Sequence, residues 1–160
     1  MDLLGRTIIT LDRRRPDVLA QLHPDLLPRI LAILKVSNGA LTPWQGFRTA
    51  SEQRRAKALG HSNADWGQSP HNYLPALACD LVLDPRFVPV RPSKSDPRYP
   101  DLWDDETPEA VAVWRELEGW AEQQGLERVT LAGGKPDLPH LQLLNWRSYI
   151  SATSAPVGTD

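Results

Sequence analysis

Residues 76–83, ALACDLVL, set one carboxylate in the middle of an otherwise apolar run. Apolar and β-branched residues in a run of this length form a buried strand. An ionised carboxylate inside such a strand is costly unless something compensates its charge, and metal coordination would do so. Alternation along the strand sends Asp80 to one face and Cys79 to the other, where burial is expected for the thiol. The preceding residues, GHSNADWGQSPHNYLP, are rich in turn formers, so the strand emerges from an irregular polar segment. Chemistry is expected at that junction.

The rest of the composition narrows the function classes. A chain of 160 residues with 41% hydrophobic content suits one domain, expected over residues 1–150 with a flexible tail at 151–160. Its 18 basic and 20 acidic residues leave a formal charge of -2. Neither a nucleic-acid footprint nor an anionic-membrane footprint is present, and a monomer is expected. The single cysteine cannot form an internal disulfide. The N-terminal residues MDLLGRTIITLDRRR lack the long apolar run of a secretory signal or membrane span, so synthesis in the cytoplasm without a signal peptide is expected.

Along the chain, apolar residues recur at helical spacing over residues 17–36. Pro24 predicts a break after His23, with a second helix from about Asp25. A strand-like run follows at 41–48, then a polar helix at 51–59 that Ser51 can cap and Gly60 ends. Residues 84–108 carry six prolines among many acidic residues and read as a long surface loop. Thr107 can cap a helix over 108–124 that turns Val111, Trp114, Leu117 and Trp120 inward, with Gly125 as its stop. Strands are expected at 127–132 and 140–145, joined by the turn at 133–136.

Of four histidines, two sit in polar loops beside carboxylates. His23 precedes a proline and His61 follows a glycine, and both read as surface or capping residues without a role. A catalytic zinc site needs three protein ligands and one open position. His71, His140 and Asp80 supply a set of that type.

Four segments add context in order: HPDL at 23–26, GFRTASEQ at 46–53, SPHNYLPALACD at 69–80 and DLPHLQL at 137–143. Together they resemble the metallopeptidase family of phage L-alanyl-D-glutamate endolysins and D-alanyl-D-alanine peptidases, with hedgehog-type folds as distant relatives. The resemblance spans roughly three quarters of the chain. It implies an α+β fold in which a small antiparallel sheet of about four strands carries a zinc site on one face and packs helices on the other. It implies Zn2+ held by His71, Asp80 and His140, with Asp137 as the general base and Arg48 as the cation that stabilises the oxyanion. Ser69 either hydrogen-bonds near the metal or simply forms its turn. The expected substrates are peptidoglycan stem peptides, reached after release or delivery of the protein to the cell wall.

Three departures from the family pattern matter. Eight residues separate His71 from Asp80 where the family usually has six, so two residues between Leu74 and Leu77 must bulge out before the strand. The family's glycine in that segment is absent. Before Asp137, LAGG replaces the usual tryptophan-glycine-glycine run. An aspartate in D-x-x-H resembles the endolysin branch and favours an L-Ala-D-Glu bond. The alternatives are a D-Ala-D-Ala carboxypeptidase or dipeptidase, and a non-catalytic virion or binding protein that keeps the fold. Trp103, Tyr99 and Arg98 in the long loop either help to target the wall or merely connect the strands around them.

Overall fold

A computed structural model describes residues 17–131 and 133–150. Among the described residues the helices that lie wholly within them are α1 (Leu27–Val36), α2 (Ala50–Ala58) and α3 (Pro108–Gln123), and residues 17–20 are helical as well. The four strands among the described residues are β1 (Leu41–Gln45), β2 (Ala78–Leu83), β3 (Leu126–Glu127) and β4 (His140–Leu143). They form one antiparallel sheet in the order β1-β2-β4-β3. The fold is α+β, as expected. The tail at 151–160 and the N-terminal residues 1–16 lie outside the described residues. Among the described residues no helix is long and apolar enough to cross a membrane.

Strand alternation divides the sheet into two chemically different faces. Cys79, Leu81 and Leu83 of β2 and Leu141 and Leu143 of β4 are buried in one apolar cluster with Leu26, Ile30 and Ile33 from the α1 region. Ala110, Val113, Trp114, Leu117 and Ala121 of α3 close that cluster. Asp80, His140 and Gln142 alternate with these residues and point to the opposite face. Fully burying each large aliphatic side chain stabilises the fold by about 1.5–3 kcal/mol, so the helical face anchors the sheet. The inward stripe of α3 differs from the expected one at one place: Val113 is buried while Val111 is only partly covered, and Trp120 packs at the margin.

β1 contains Pro43, which cannot donate to a ladder, and β1 is accordingly the edge strand. A bulge between Pro43 and Gln45 ends its regular pairing. The expected strand at 41–48 stops at Gln45 because Gly46 turns the chain against the N-terminal segment. A Cβ at Gly46 would lie 3.2 Å from Gln21 Oε1, Leu22 Cδ2 and the Val18 carbonyl oxygen, so only glycine fits without displacement. Phe47 N–H then donates to Gln21 Oε1 at 3.0 Å.

Helix caps differ from those expected. Thr49, not Ser51, caps α2: its hydroxyl accepts from Glu52 N–H at 3.3 Å and Glu52 returns a bond to Thr49 N–H at 2.9 Å. At α3 the Thr107 hydroxyl donates to Asp104 rather than capping the helix. Asp104 is fully buried and needs donors, which it takes from the N–H groups of Arg91, Glu106 and Thr107 as well. These bonds hold its carboxyl well below the usual carboxylate range although burial alone would raise it. Arg91 also reaches Asp101, Asp105 and Glu106, so the long loop before α3 is braced by ion pairs and by the buried side chains of Val88 and Leu102.

The strand expected at 127–132 is confined to Leu126–Glu127. Beyond it, the Arg128 guanidinium donates to the carbonyls of Leu138 at 2.9 Å and His140 at 2.6 Å, standing in for ladder bonds. β4 ends at Leu143, before Asn145 adopts a left-handed conformation at φ 54.

Candidate metal centre

His71 reaches the site from a single 3-10 turn, Pro70–Asn72, that leads toward β2. Ser69 caps that turn, its hydroxyl accepting from His71 N–H at 3.3 Å. After the turn the chain rejoins the body through Ala76, which donates to the Gln21 carbonyl at 2.7 Å and accepts from His23 N–H at 2.9 Å. Leu74 and Pro75 between them are exposed. The register of β2 then pairs Asp80 with His140 of β4 and with Gln45 of β1.

Three ligand-type atoms converge there. His71 Nε2 lies 3.2 Å from Asp80 Oδ1 and 3.2 Å from His140 Nδ1, and His140 Nδ1 lies 3.1 Å from Asp80 Oδ1. Both histidines are buried. Their outer nitrogens fix which inner atoms carry lone pairs. His71 Nδ1 is 2.6 Å from the Gly46 carbonyl, which can only accept, so Nδ1 carries the proton and Nε2 faces inward bare. His140 Nε2 is 2.8 Å from Gln142 Oε1, which leaves Nδ1 of the neutral ring bare in the same way.

Three acceptors in mutual contact repel one another unless a cation or proton lies between them. A tetrahedral ion with bonds of about 2.0 Å holds its ligand atoms about 3.3 Å apart, close to the triangle observed. His71, Asp80 and His140 can therefore hold a metal ion, and the two-imidazole, one-carboxylate donor set fits zinc. Burial alone would raise the Asp80 pKa, but the adjacent His71 and His140 hold it well below the usual range. The pKa of His140 is raised: burial opposes its charged form, and when the ring takes up a second proton at Nδ1 the Asp80 carboxylate beside it outweighs that cost.

Arg48 borders the cluster with its Nη2 3.8 Å from Asp80 Oδ2. Neutral amides fix the guanidinium. Gln45 Oε1 accepts from Nε at 2.9 Å and Nη2 at 2.6 Å, and Gln53 Oε1 accepts from Nη1 at 3.1 Å. Gln53 is fully buried and uses its other valences on Asn72, Ser62 and the Ala64 carbonyl. The clamp holds Arg48 in place without a carboxylate hydrogen-bonded to it.

Asp137 precedes β4, and its backbone is fixed by a bond from its N–H to the Val129 carbonyl at 2.9 Å. Burial raises its carboxyl pKa above the ordinary value, and the opposing influence of His140 does not cancel that rise.

The other histidines are elsewhere. His23 Nδ1 accepts from Asp25 N–H at 3.1 Å at the approach to α1, and His61 is exposed just after α2. Cys79 is fully buried on the helical face, its thiol pushed up by burial. On the site face, Trp44 packs against Val82 and meets Trp103 edge to face at 5.2 Å, with Trp103 41% exposed. Arg98 lies over the Tyr99 ring at 5.9 Å. Sequence reasoning missed Gln45, Gln53, Asn72 and Gln142. Gln53, Asn72 and Gln142 lie in the GFRTASEQ, SPHNYLPALACD and DLPHLQL segments that carry the family resemblance, while Gln45 showed only as a polar residue inside an otherwise apolar segment.

No protein-family model and no curated protein matches the chain by sequence. Among solved structures, it is similar to the crystal structure of Serratia marcescens L-Ala D-Glu endopeptidase ChiX, with a TM-score of 0.54. Sequence identity is 23%, over 86% of this chain and 91% of that one. At that identity the likeness is one of fold.

Proposed function

We propose that this chain is a zinc-dependent peptidase of bacterial cell-wall peptides that hydrolyses a stem-peptide bond of the L-Ala-D-Glu type. The observation that carries this reading is the triangle of bare acceptor atoms from His71, Asp80 and His140, each imidazole oriented by a carbonyl on its far side. The fold shared with an L-Ala D-Glu endopeptidase supports the substrate class.

In this reading His71, Asp80 and His140 hold the ion. A bound zinc ion would supply Lewis acidity, lowering the pKa of a water toward neutrality and polarising the scissile carbonyl. Asp137 accepts the proton from the attacking water as its oxygen adds to the carbonyl carbon. The raised pKa of this carboxyl suits it to pass the proton on to the leaving amine as the C–N bond breaks. Arg48, held by Gln45 and Gln53, faces the oxyanion that forms on the carbonyl oxygen. Placed donors of this kind contribute about 3 kcal/mol or more to transition-state stabilisation.

Elemental analysis of the purified protein tests the reading. About one zinc per chain is expected, with lysis of purified peptidoglycan lost in chelator and restored by added zinc. Full lytic activity in a metal-free preparation would overturn it.

A further inference from the structure

Gln142 and Glu127 lie on the site face of the sheet, outside the ligand set, and they form a directed chain that ends on His140. Glu127 of β3 and Gln142 of β4 are register partners across the ladder, and Gln142 Nε2 donates to Glu127 Oε2 at 2.8 Å. Gln142 stands two residues beyond His140, on the same face, with its Oε1 2.8 Å from His140 Nε2. The Gln142 side chain is buried.

The direction of this chain is fixed from its far end. A glutamine amide is two-sided and can present either oxygen or nitrogen to a neighbour. An ionised carboxylate only accepts, so Glu127 compels Gln142 to turn its NH2 outward and its oxygen toward His140. A carbonyl oxygen facing His140 Nε2 requires a proton there. Nδ1, the atom aimed at Asp80 and His71, is then left with its lone pair. Were Gln142 to rotate by half a turn, its NH2 would face Nε2, the proton would move to Nδ1, and His140 could not ligate.

We infer that Glu127 and Gln142 are positioning residues that set the tautomer of His140, and through it the metal affinity of the site. This rests on the proposed metal centre. Outer partners of metal-bound histidines typically contribute 10- to 100-fold in affinity. Glu127 acts through two side chains and touches neither ion nor substrate.

The test is zinc affinity measured by chelator competition, alongside thermal stability of the metal-free protein. Glu127→Gln keeps the shape but removes the directing carboxylate, and should lower zinc affinity by about tenfold or more. The double variant E127Q/Q142E moves the carboxylate to the position facing His140, where it accepts from both neighbours. It should restore affinity to within a few-fold of the unmodified chain. A merely structural role predicts the opposite order, because exchanging two buried side chains would not repair a packing defect. Affinity unchanged in Glu127→Gln, or lost further in the double variant while the metal-free protein stays folded, would overturn the inference. If the unmodified chain itself fails to bind zinc, the metal-centre reading falls and this one with it.

Discussion

Asp80 and His140 are direct cross-strand partners on β2 and β4, with His140 Nδ1 3.1 Å from Asp80 Oδ1. Because the pairing is part of the sheet, two of the three candidate ligands are fixed by backbone register. His71 is brought to them by a capped turn whose neighbour Arg48 donates its N–H to the His71 carbonyl at 2.8 Å. A one-residue slip of β2 would send Asp80 into the apolar cluster and Cys79 to the site, so the apolar face enforces the polar one.

The histidines divide into two classes. His71→Ala and His140→Ala each remove one of three candidate ligands, and zinc affinity and turnover should fall together by about a hundredfold or more. His23→Ala and His61→Ala should change neither by more than about twofold, because the first forms a local cap and the second is exposed. Zinc titration of the four variants checks this. Loss of zinc in His61→Ala would contradict the assignment.

Asp80 and Asp137 should fail differently. Asp80→Ala should release the ion. Asp137→Asn should keep it while turnover drops by about 10²- to 10⁴-fold, with substrate binding little changed. Zinc content and single-turnover rates measured side by side separate the two roles.

Asp137→Asn should also stabilise the metal-free protein at neutral pH. Its carboxyl pKa is raised in the folded chain, so the folded state holds that proton more tightly than the unfolded one. The stabilisation it provides is complete below the ordinary carboxylate pKa and is lost as pH rises through the folded value. Melting temperatures of the variant and the unmodified chain should therefore diverge at neutral pH and converge in acid. A gap that widens in acid would reverse the sign assigned to Asp137.

Gln53 ties Arg48 to Asn72 and to the loop at 62–64. Gln53→Leu leaves buried partners unsatisfied and should cost about 1–3 kcal/mol of stability, seen in denaturant unfolding. Arg48→Lys keeps the charge but cannot span Gln45 and Gln53 together, so kcat should fall with KM nearly unchanged. A variant that raised KM alone would place Arg48 in substrate binding instead.

Much of the site could be read before any coordinates, because ligand chemistry and strand alternation are both local properties. Asp80 in an apolar strand and two histidines beside carboxylates already imply a shared charge. What was not legible depends on the competition between distant groups. Thr49 outcompetes Ser51 for α2 because Glu52 completes its capping box, and Thr107 gives its hydroxyl to buried Asp104. The strand expected at 127–132 is cut short by an arginine that takes over the carbonyls of Leu138 and His140. Glu127 and Gln142 become a pair only once the β3–β4 register is known, since 15 residues separate them in sequence.

Zinc-dependent cleavage of the stem peptide is decided by mass analysis of the fragments released from purified peptidoglycan by the zinc-loaded protein, beside the same protein in excess chelator. Stem peptides with a new amino terminus at D-Glu, L-Ala left on the glycan, and no release in chelator are expected. Undiminished release in chelator, or intact stem peptides after exposure to the zinc-loaded protein, would contradict it.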